Sequence, residues 1–307
     1  MAYFLGVDGG GTKTDYLLAD GSRELGRVRA GSIKRLRLDA ETTEANLRQA
    51  LNQLEALTGV SMLAVTRCCI GAGGEAAPTV AAWVRETFGR LVGGDLLLLG
   101  DVEIALDAAF PGQRGVLVLA GTGSQIAGRG NDGILRRAGG YGPALSDEGS
   151  GYFLGSEGLR KAFRAIDEER PTKMLEAFRE NWGLRSVEEL MEFANRNPAP
   201  DFSLLAPLVV KCSDEGDEVA SGVIRKGGEE LAALAALVIE QIRRAQASGD
   251  AEFMAPPIAL AGSILGKVPL ARKALGAALR RRYPQISIAQ TATDPVQGAL
   301  WRARRGY

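Results

Sequence analysis

Histidine is absent from this chain. That excludes Ser-His-Asp and Cys-His catalysis, His-ligated metal centres and histidine pH switches. An enzyme of this composition, working near neutral pH, draws its base from a carboxylate, Lys, Cys or Tyr. Cysteine is almost as scarce, with three residues at positions 68, 69 and 212. Cys68 and Cys69 are neighbours in an apolar run, so on a strand they point to opposite faces and neither bridge each other nor chelate one metal. Buried, reduced thiols in a cytoplasmic protein are the expectation. Net charge is missing too: 37 basic and 37 acidic residues cancel, which points away from nucleic acid or an anionic membrane as main partner. The basic clusters Arg280-Arg281-Arg282 and Arg302, Arg304, Arg305 read as solvated helix ends. No apolar stretch approaches the ~18 residues of a membrane span, and the N-terminus lacks the basic segment and long apolar run of a signal peptide.

The chain of 307 residues, 46% of them hydrophobic, has ample material for a core and exceeds one typical domain. Two domains sharing a cleft are expected, 1–112 and 113–307, parted at Pro111-Gly112. In the first, 3–8, 14–19 and 24–29 read as a meander of short strands, and 40–58 as a helix with Leu47, Leu51, Leu54 and Leu57 on one face. An apolar strand at 62–70 follows, then a turn at Gly71-Ala72-Gly73-Gly74 and a helix near 78–89. Leu96-Leu97-Leu98-Leu99 reads as a fully buried strand leading into Gly100-Asp101 and a helix over 102–109. In the second part, a strand at 116–120 and further short strands to about 138 precede residues dominated by helical patterns, the longest at 217–247. A strand from Ile258 running into a small-residue turn at Gly262-Ser263, a helix over 269–282, a strand over 286–289 and a helix over 294–305 complete the pattern. Strands and glycine turns separated by helices imply α/β layers with covered sheets.

The most informative stretch is Gly6-Val7-Asp8-Gly9-Gly10-Gly11-Thr12-Lys13-Thr14. It follows the apolar Tyr3-Phe4-Leu5, and three glycines make a turn whose backbone N–H groups approach a phosphate without obstruction. Thr12 and Thr14 add hydroxyl donors. Asp8, at the turn entrance, suits the water shell of a Mg²⁺ ion. The spacing is not that of a Walker loop, and no helical pattern follows. Asp15 to Gly21 instead reads as a second strand and turn, so the glycines close a hairpin. By itself this is equally a plain glycine turn. But Val116–Ala120 running into Gly121-Thr122-Gly123-Ser124 repeats the unit, hinting at an internal repeat of fold, and Ile258–Ala261 running into Gly262-Ser263 adds a third. One turn per lobe for phosphates and a third for the nucleoside is what a nucleotide held between two lobes needs.

With these turns in this order, the chain resembles the N-acetylglucosamine kinase and BadF/BadG/BcrA/BcrD ATPase family, within the acetate and sugar kinase, Hsp70 and actin superfamily. The resemblance is strongest at Gly6–Thr14, Gly115–Ser124, Gly139–Gly151 and Ala259–Ser263. It implies a two-lobed, actin-like (ribonuclease H-like) α/β fold with the active site in the interdomain cleft. It also implies ATP and Mg²⁺ as cofactors, a small-molecule sugar as acceptor and a homodimer as the candidate assembly. Residue by residue, Gly9, Gly10, Gly11, Thr12 and Lys13 match the first phosphate loop, with Asp8 beside the metal. Gly121, Thr122, Gly123 and Ser124 match the second phosphate loop, and Gly262 and Ser263 the adenosine segment. The helices 102–109 and 294–305 match helices that cross between lobes, which close over ATP and sugar.

Asp101 is the candidate catalytic base: it follows an apolar strand and opens a helix. Phosphoryl transfer needs positioning, charge neutralisation and a group to accept the acceptor hydroxyl's proton. An N-cap is the alternative role. The loop Gly139–Gly151 is polar and glycine-dense, and in the family it contacts the hexosamine. A sugar ring can stack on Tyr141, beside Gly140, with its hydroxyls donating to Asp147, and Asp147 matches the aspartate of the family's D-E-G-S motif. Asp147 and Ser150 could equally cap the next helix. Gly73 and Gly74 match a loop lining the same sugar site.

One departure stands out. Where many family members have a sugar-binding asparagine, this chain reads Gly31-Ser32-Ile33-Lys34-Arg35-Leu36-Arg37, putting Lys34 near that place. Lys cannot accept a hydrogen bond from a hydroxyl, whereas Asn can. Either the sugar carries an acid group, or Lys34 and Arg35 are simply solvated. The leading expectation is an ATP-dependent kinase for an amino sugar of the N-acetylglucosamine or glucosamine class. The alternatives are a kinase for an acidic amino sugar such as N-acetylmuramic acid, and a BadF-type ATPase switch without sugar phosphorylation. An Fe–S-bearing activator fits badly, because Cys68-Cys69 on a strand and a distant Cys212 do not converge on one point.

Overall fold

A computed structural model describes residues 2–35, 38–75, 77–246 and 253–306. Leu36, Arg37 and the final residue of the helix expected over 217–247 lie outside the described residues. The chain divides into two compact units, one of residues 1–117 with 293–307 and one of residues 118–292. The last helix therefore belongs with the first unit rather than with the half that precedes it.

The first unit is built on β1 (Tyr3–Gly9), β2 (Lys13–Ala19), β3 (Glu24–Gly31), β4 (Val65–Ala72) and β5 (Asp95–Leu99), with helices α1 (Ala40–Thr58), α2 (Pro78–Leu91) and α3 (Asp101–Ala109). The sheet order is β3-β2-β1-β4-β5. β1 and β2 form the expected hairpin, with Asp8 opposite Asp15 and Gly9 opposite Thr14. β4 lies parallel to β1 on its other side, with Gly71 beside Asp8. The second sheet holds β6 (Gly115–Ala120), within which the second unit begins, β7 (Ser124–Arg129), β8 (Leu135–Gly139), β9 (Ile258–Ala261) and β10 (Ile288–Ala292). Its order is β10-β9-β6-β7-β8. The two sheets share one plan: an opening strand in the middle, its two successors on one side, and two later strands on the other. The internal repeat legible as glycine turns is thus a repeat of topology.

Helices α4 (Gly151–Asp167), α5 (Met174–Asn181), α6 (Val187–Ala194), α7 (Ala206–Asp214), α8 (Glu218–Ala245), α9 (Ser263–Lys267) and α10 (Pro269–Arg282) complete the second unit, and α11 (Pro295–Arg305) returns to the first. α8 packs against α4, α7 and α10. Its start is fixed by Asp217, whose side chain accepts from the N–H groups of Val219 and Ala220. Among the described residues no helix is long and apolar enough to cross a membrane.

Side-chain alternation along β4 decides the core of the first unit. Cys68 joins one cluster with Leu47, Leu51, Leu54, Val84 and Phe88. Cys69, its neighbour, joins another with Phe4, Leu17, Ile104, Val296 and Leu300. The thiols face opposite sides of the sheet, as the period of two requires. The second face is where α3 and α11 lie. Gly298 lets them touch: a Cβ there would sit 1.8 Å from the carbonyl oxygen of Ile104.

Several expectations need correction. Met62–Ala64 form a single 3-10 turn, so the strand expected from 62 starts at Val65 and runs on through Ala72, leaving Gly73-Gly74 as the turn. β5 is an edge strand whose leucines are only half-buried, because no strand covers its outer side. β9 ends at Ala261 and runs into the expected turn at Gly262, Ser263 opens α9, and the strand expected over 286–289 is Ile288–Ala292. Arg302 and Arg304 are not solvated helix ends. Arg302 pairs with Glu103 and Asp107, and Arg304 donates to the carbonyls of Asp20 and Arg23.

Candidate active site

Within the first unit the strand ends of β1 and β4, the start of α3 and the segment after β3 bring the predicted residues together. Asp8 sits on β1 one residue before its end, half-buried. Facing it across the hairpin is Asp15, a like-charge pair that would be unfavourable without compensation. β3 supplies the compensation: Arg27 and Arg29, two residues apart and so on one face, reach Asp15 at 3.1 and 2.9 Å. Arg27 also grips Asp294 at 2.6 Å. Asp8 itself makes no ion pair among the described residues. Burial foremost, then the charges of Asp101, Asp15 and Asp294, push its carboxyl up to about 7, against the pull of Lys13.

That concentration of negative charge suits a cation. Among the described residues no group of three or more potential ligand side chains gathers around one point. The fit is therefore to a hydrated Mg²⁺ met by one carboxylate and completed by water and phosphate oxygens, rather than to an all-protein cage. The turn beside Asp8 is tight. Gly10 N donates to the Asp8 carbonyl at 3.1 Å, and a Cβ on Gly10 would lie 2.8 Å from the Lys13 carbonyl oxygen. Thr12 and Lys13 are exposed at the turn's edge.

Asp101 is the first residue of α3, and the N-cap is Gly100. Asp101 therefore does not serve as the cap; its Oδ1 accepts from Val102 N at 2.9 Å. Its other oxygen faces Gly73. A Cβ built on Gly73 would lie 3.0 Å from Asp101 Oδ2 and 2.9 Å from Lys34 Nζ. Asp101, Gly73 and Lys34, three positions far apart in sequence, thus line one small volume. Lys34 is held there by its backbone. Its N–H donates to Ser32 Oγ at 3.1 Å, and Ser32 Oγ donates to the Gly10 carbonyl at 2.8 Å. Ile33 N donates to Thr14 Oγ1 at 3.2 Å, and Asn46 Nδ2 to the Ser32 carbonyl at 2.9 Å. The start of the segment after β3 is tied to the first glycine turn through Ser32 and to β2 through Ile33.

In the second unit the predicted residues form a second knot. Gly121 N donates to the Gly123 carbonyl at 2.9 Å, closing the turn between β6 and β7. Asp147, buried and left-handed with φ 72°, accepts from Ser124 N at 3.1 Å through Oδ1. Ser124 Oγ donates to the Glu148 carbonyl at 2.7 Å, and Gly151 N to the Gly121 carbonyl at 2.7 Å. The Gly139–Gly151 loop is thereby sewn to the turn between β6 and β7. Ser150 caps α4 through Phe153 N, whereas Asp147 does not. Gly262, with φ 86°, packs where a Cβ would be 2.3 Å from the Ala120 carbonyl oxygen, so the third turn lies against the second. At the outer end of the loop Gly140 and Tyr141 are exposed, Tyr141 by 73%.

Sequence reading missed Asp15, Arg27, Asp294 and Ser32. The first two carried a usable signal: counting outward from the glycine turn puts Asp15 opposite Asp8, and Arg27-x-Arg29 places two cations on one strand face. Asp294 and Ser32 carried none, since their contacts depend on tertiary placement.

Known proteins resemble the chain along nearly its whole length. The chain is 28% identical to the N-acetyl-D-glucosamine kinase of Dictyostelium discoideum, over 96% of each chain. It is 26% identical to the N-acetylmuramic acid/N-acetylglucosamine kinase of Clostridium acetobutylicum, over 99% of each. A solved structure from Chromobacterium violaceum, whose name proposes an N-acetylglucosamine kinase, superposes with a TM-score of 0.75 at 27% identity, covering 98% of both chains. The two five-stranded sheets are those of the actin-like ATPase and sugar kinase fold. A family model matches residues 5–303, and the chain belongs to the BadF/BadG/BcrA/BcrD ATPase family.

Proposed function

We propose that this protein is an ATP-dependent kinase that phosphorylates a hydroxyl of an amino sugar. The observation that carries the reading is the Asp101 carboxylate, held at the start of α3 with one oxygen turned to the Gly73 surface. The names of the relatives, all kinases of amino sugars, support it.

The chemistry follows from the residues. The acceptor hydroxyl donates to Asp101, which takes its proton as the oxygen attacks. When bound, Mg²⁺-ATP supplies the phosphoryl group and the cation that neutralises its charge. Asp8 meets the ion's water shell. Gly11, Thr12 and Lys13 offer donors to phosphate oxygens, as do Thr122 and Gly123, while Gly9, Gly10, Gly121 and Ser124 shape the two turns. Gly262 and Ser263 border the nucleoside. Gly73, Gly74, Gly140 and Tyr141 line the sugar. Asp147 accepts from a sugar hydroxyl. A homodimer and a cytoplasmic location belong to the same reading.

The test is ADP release from MgATP with glucosamine, N-acetylglucosamine, N-acetylmuramic acid, N-acetylmannosamine, glucose and no sugar. Turnover with an amino sugar far above the blank is expected. Hydrolysis at one rate regardless of sugar would replace the kinase by an ATPase switch.

A further inference from the structure

Lys34 is not fully solvated, and its charge is not spent on an ion pair among the described residues. It is half-buried, and its carbonyl accepts from Leu38 N at 3.1 Å. Nζ and Asp101 Oδ2 converge on the same point over Gly73, at 2.9 and 3.0 Å from where a Cβ would be. Any group seated on Gly73 meets a cation and the candidate base together.

Asp101 puts a negative charge beside the Gly73 surface, its Oδ2 3.0 Å from where a Cβ would be. An anionic acceptor would be repelled from it unless a cation stood where the anion lands. Lys34 is that cation. A half-buried ammonium left to itself turns to Asp101 and competes with the hydroxyl for the base's lone pairs. A carboxylate on the acceptor takes the ammonium and leaves Asp101 to the hydroxyl. We infer that Lys34 is a specificity residue that reads a carboxylate on the acceptor sugar, close to the hydroxyl facing Asp101. The inference rests on the kinase reading above and narrows its substrate class to acidic amino sugars.

The experiment compares N-acetylmuramic acid, a lactyl ether acid, with its methyl ester, which keeps the shape and loses the charge. N-acetylglucosamine is the neutral reference. Both kcat/KM from ADP release and nucleotide-free binding by calorimetry are measured for the wild type, Lys34→Asn and Lys34→Arg. The acid should be preferred over its ester by about tenfold to a hundredfold, the worth of one charge-assisted hydrogen bond. Lys34→Asn should bring that ratio close to one, and Lys34→Arg should keep most of it. An equal acid-to-ester ratio in the wild type and Lys34→Asn, or no binding of any of the three sugars, overturns the inference. Phosphorylation of N-acetylglucosamine with no charge preference would remove the Lys34 role and leave the kinase. Charge-selective binding without ADP release would do the reverse.

Discussion

Arg302 of α11 reaches Asp107 of α3 at 2.6 Å, and the Asp107 side chain has no exposure to solvent. The same guanidinium meets Glu103 at 3.3 Å, so one arginine satisfies two carboxylates on the helix that begins with Asp101. Removing one partner of such a pair strands a buried charge. Arg302→Ala should therefore cost about 3 kcal/mol or more in urea denaturation. A loss below about 1 kcal/mol would class the pair with exposed ion pairs.

Asp101→Asn keeps the size of the side chain and removes its basicity. It should lower kcat by about 10²–10⁴-fold while nucleotide affinity stays close to the wild type. Retained turnover would take Asp101 out of the base role.

Asp8 holds its proton up to about 7, above its ordinary 3.8. A carboxyl raised in the folded state favours folding below its unfolded value, and that contribution is lost as pH climbs through the folded one. In metal-free buffer, Asp8→Asn should flatten the fall in Tm between pH 4 and 7. It should also melt above the wild type at pH 8. Parallel curves over that window would show that Asp8 titrates normally.

Gly123 leaves room for Asp147. A Cβ there would lie 3.0 and 3.1 Å from the two carboxylate oxygens, pushing them off Ser124 N. Gly123→Ala should cost about 1–3 kcal/mol through the unsatisfied buried N–H. ATP affinity, read by isothermal titration, should fall with it, and an unchanged affinity would separate the loop anchor from the phosphate turn.

How much of this was legible depended on the range of the forces involved. The β1–β2 hairpin, α1 over Ala40–Thr58 and α10 over Pro269–Arg282 follow from periodicity and turn residues alone. The opposed faces of Cys68 and Cys69 follow from the strand period. Leu96–Leu99 misled because an apolar run records the side chains' affinity for a core and not whether a neighbouring strand arrives. Arg302 misled for the matching reason: its partners lie on α3, nearly two hundred residues earlier. Lys34 was visible as a departure, but only the turn at Gly73 shows what its ammonium stands beside.

The return of α11 to the first unit sets an order of events during synthesis. Phe4, Leu17, Cys69 and Ile104 find their packing partners in Val296, Ala299, Leu300 and Ala303. Those partners leave the ribosome only after residues 118–292. At ~5–20 residues per second, one face of the β1-centred sheet stays wet for on the order of ten seconds or more. Nascent chains are most vulnerable to one another in that interval, and a chaperone that covers apolar sheet faces acts there.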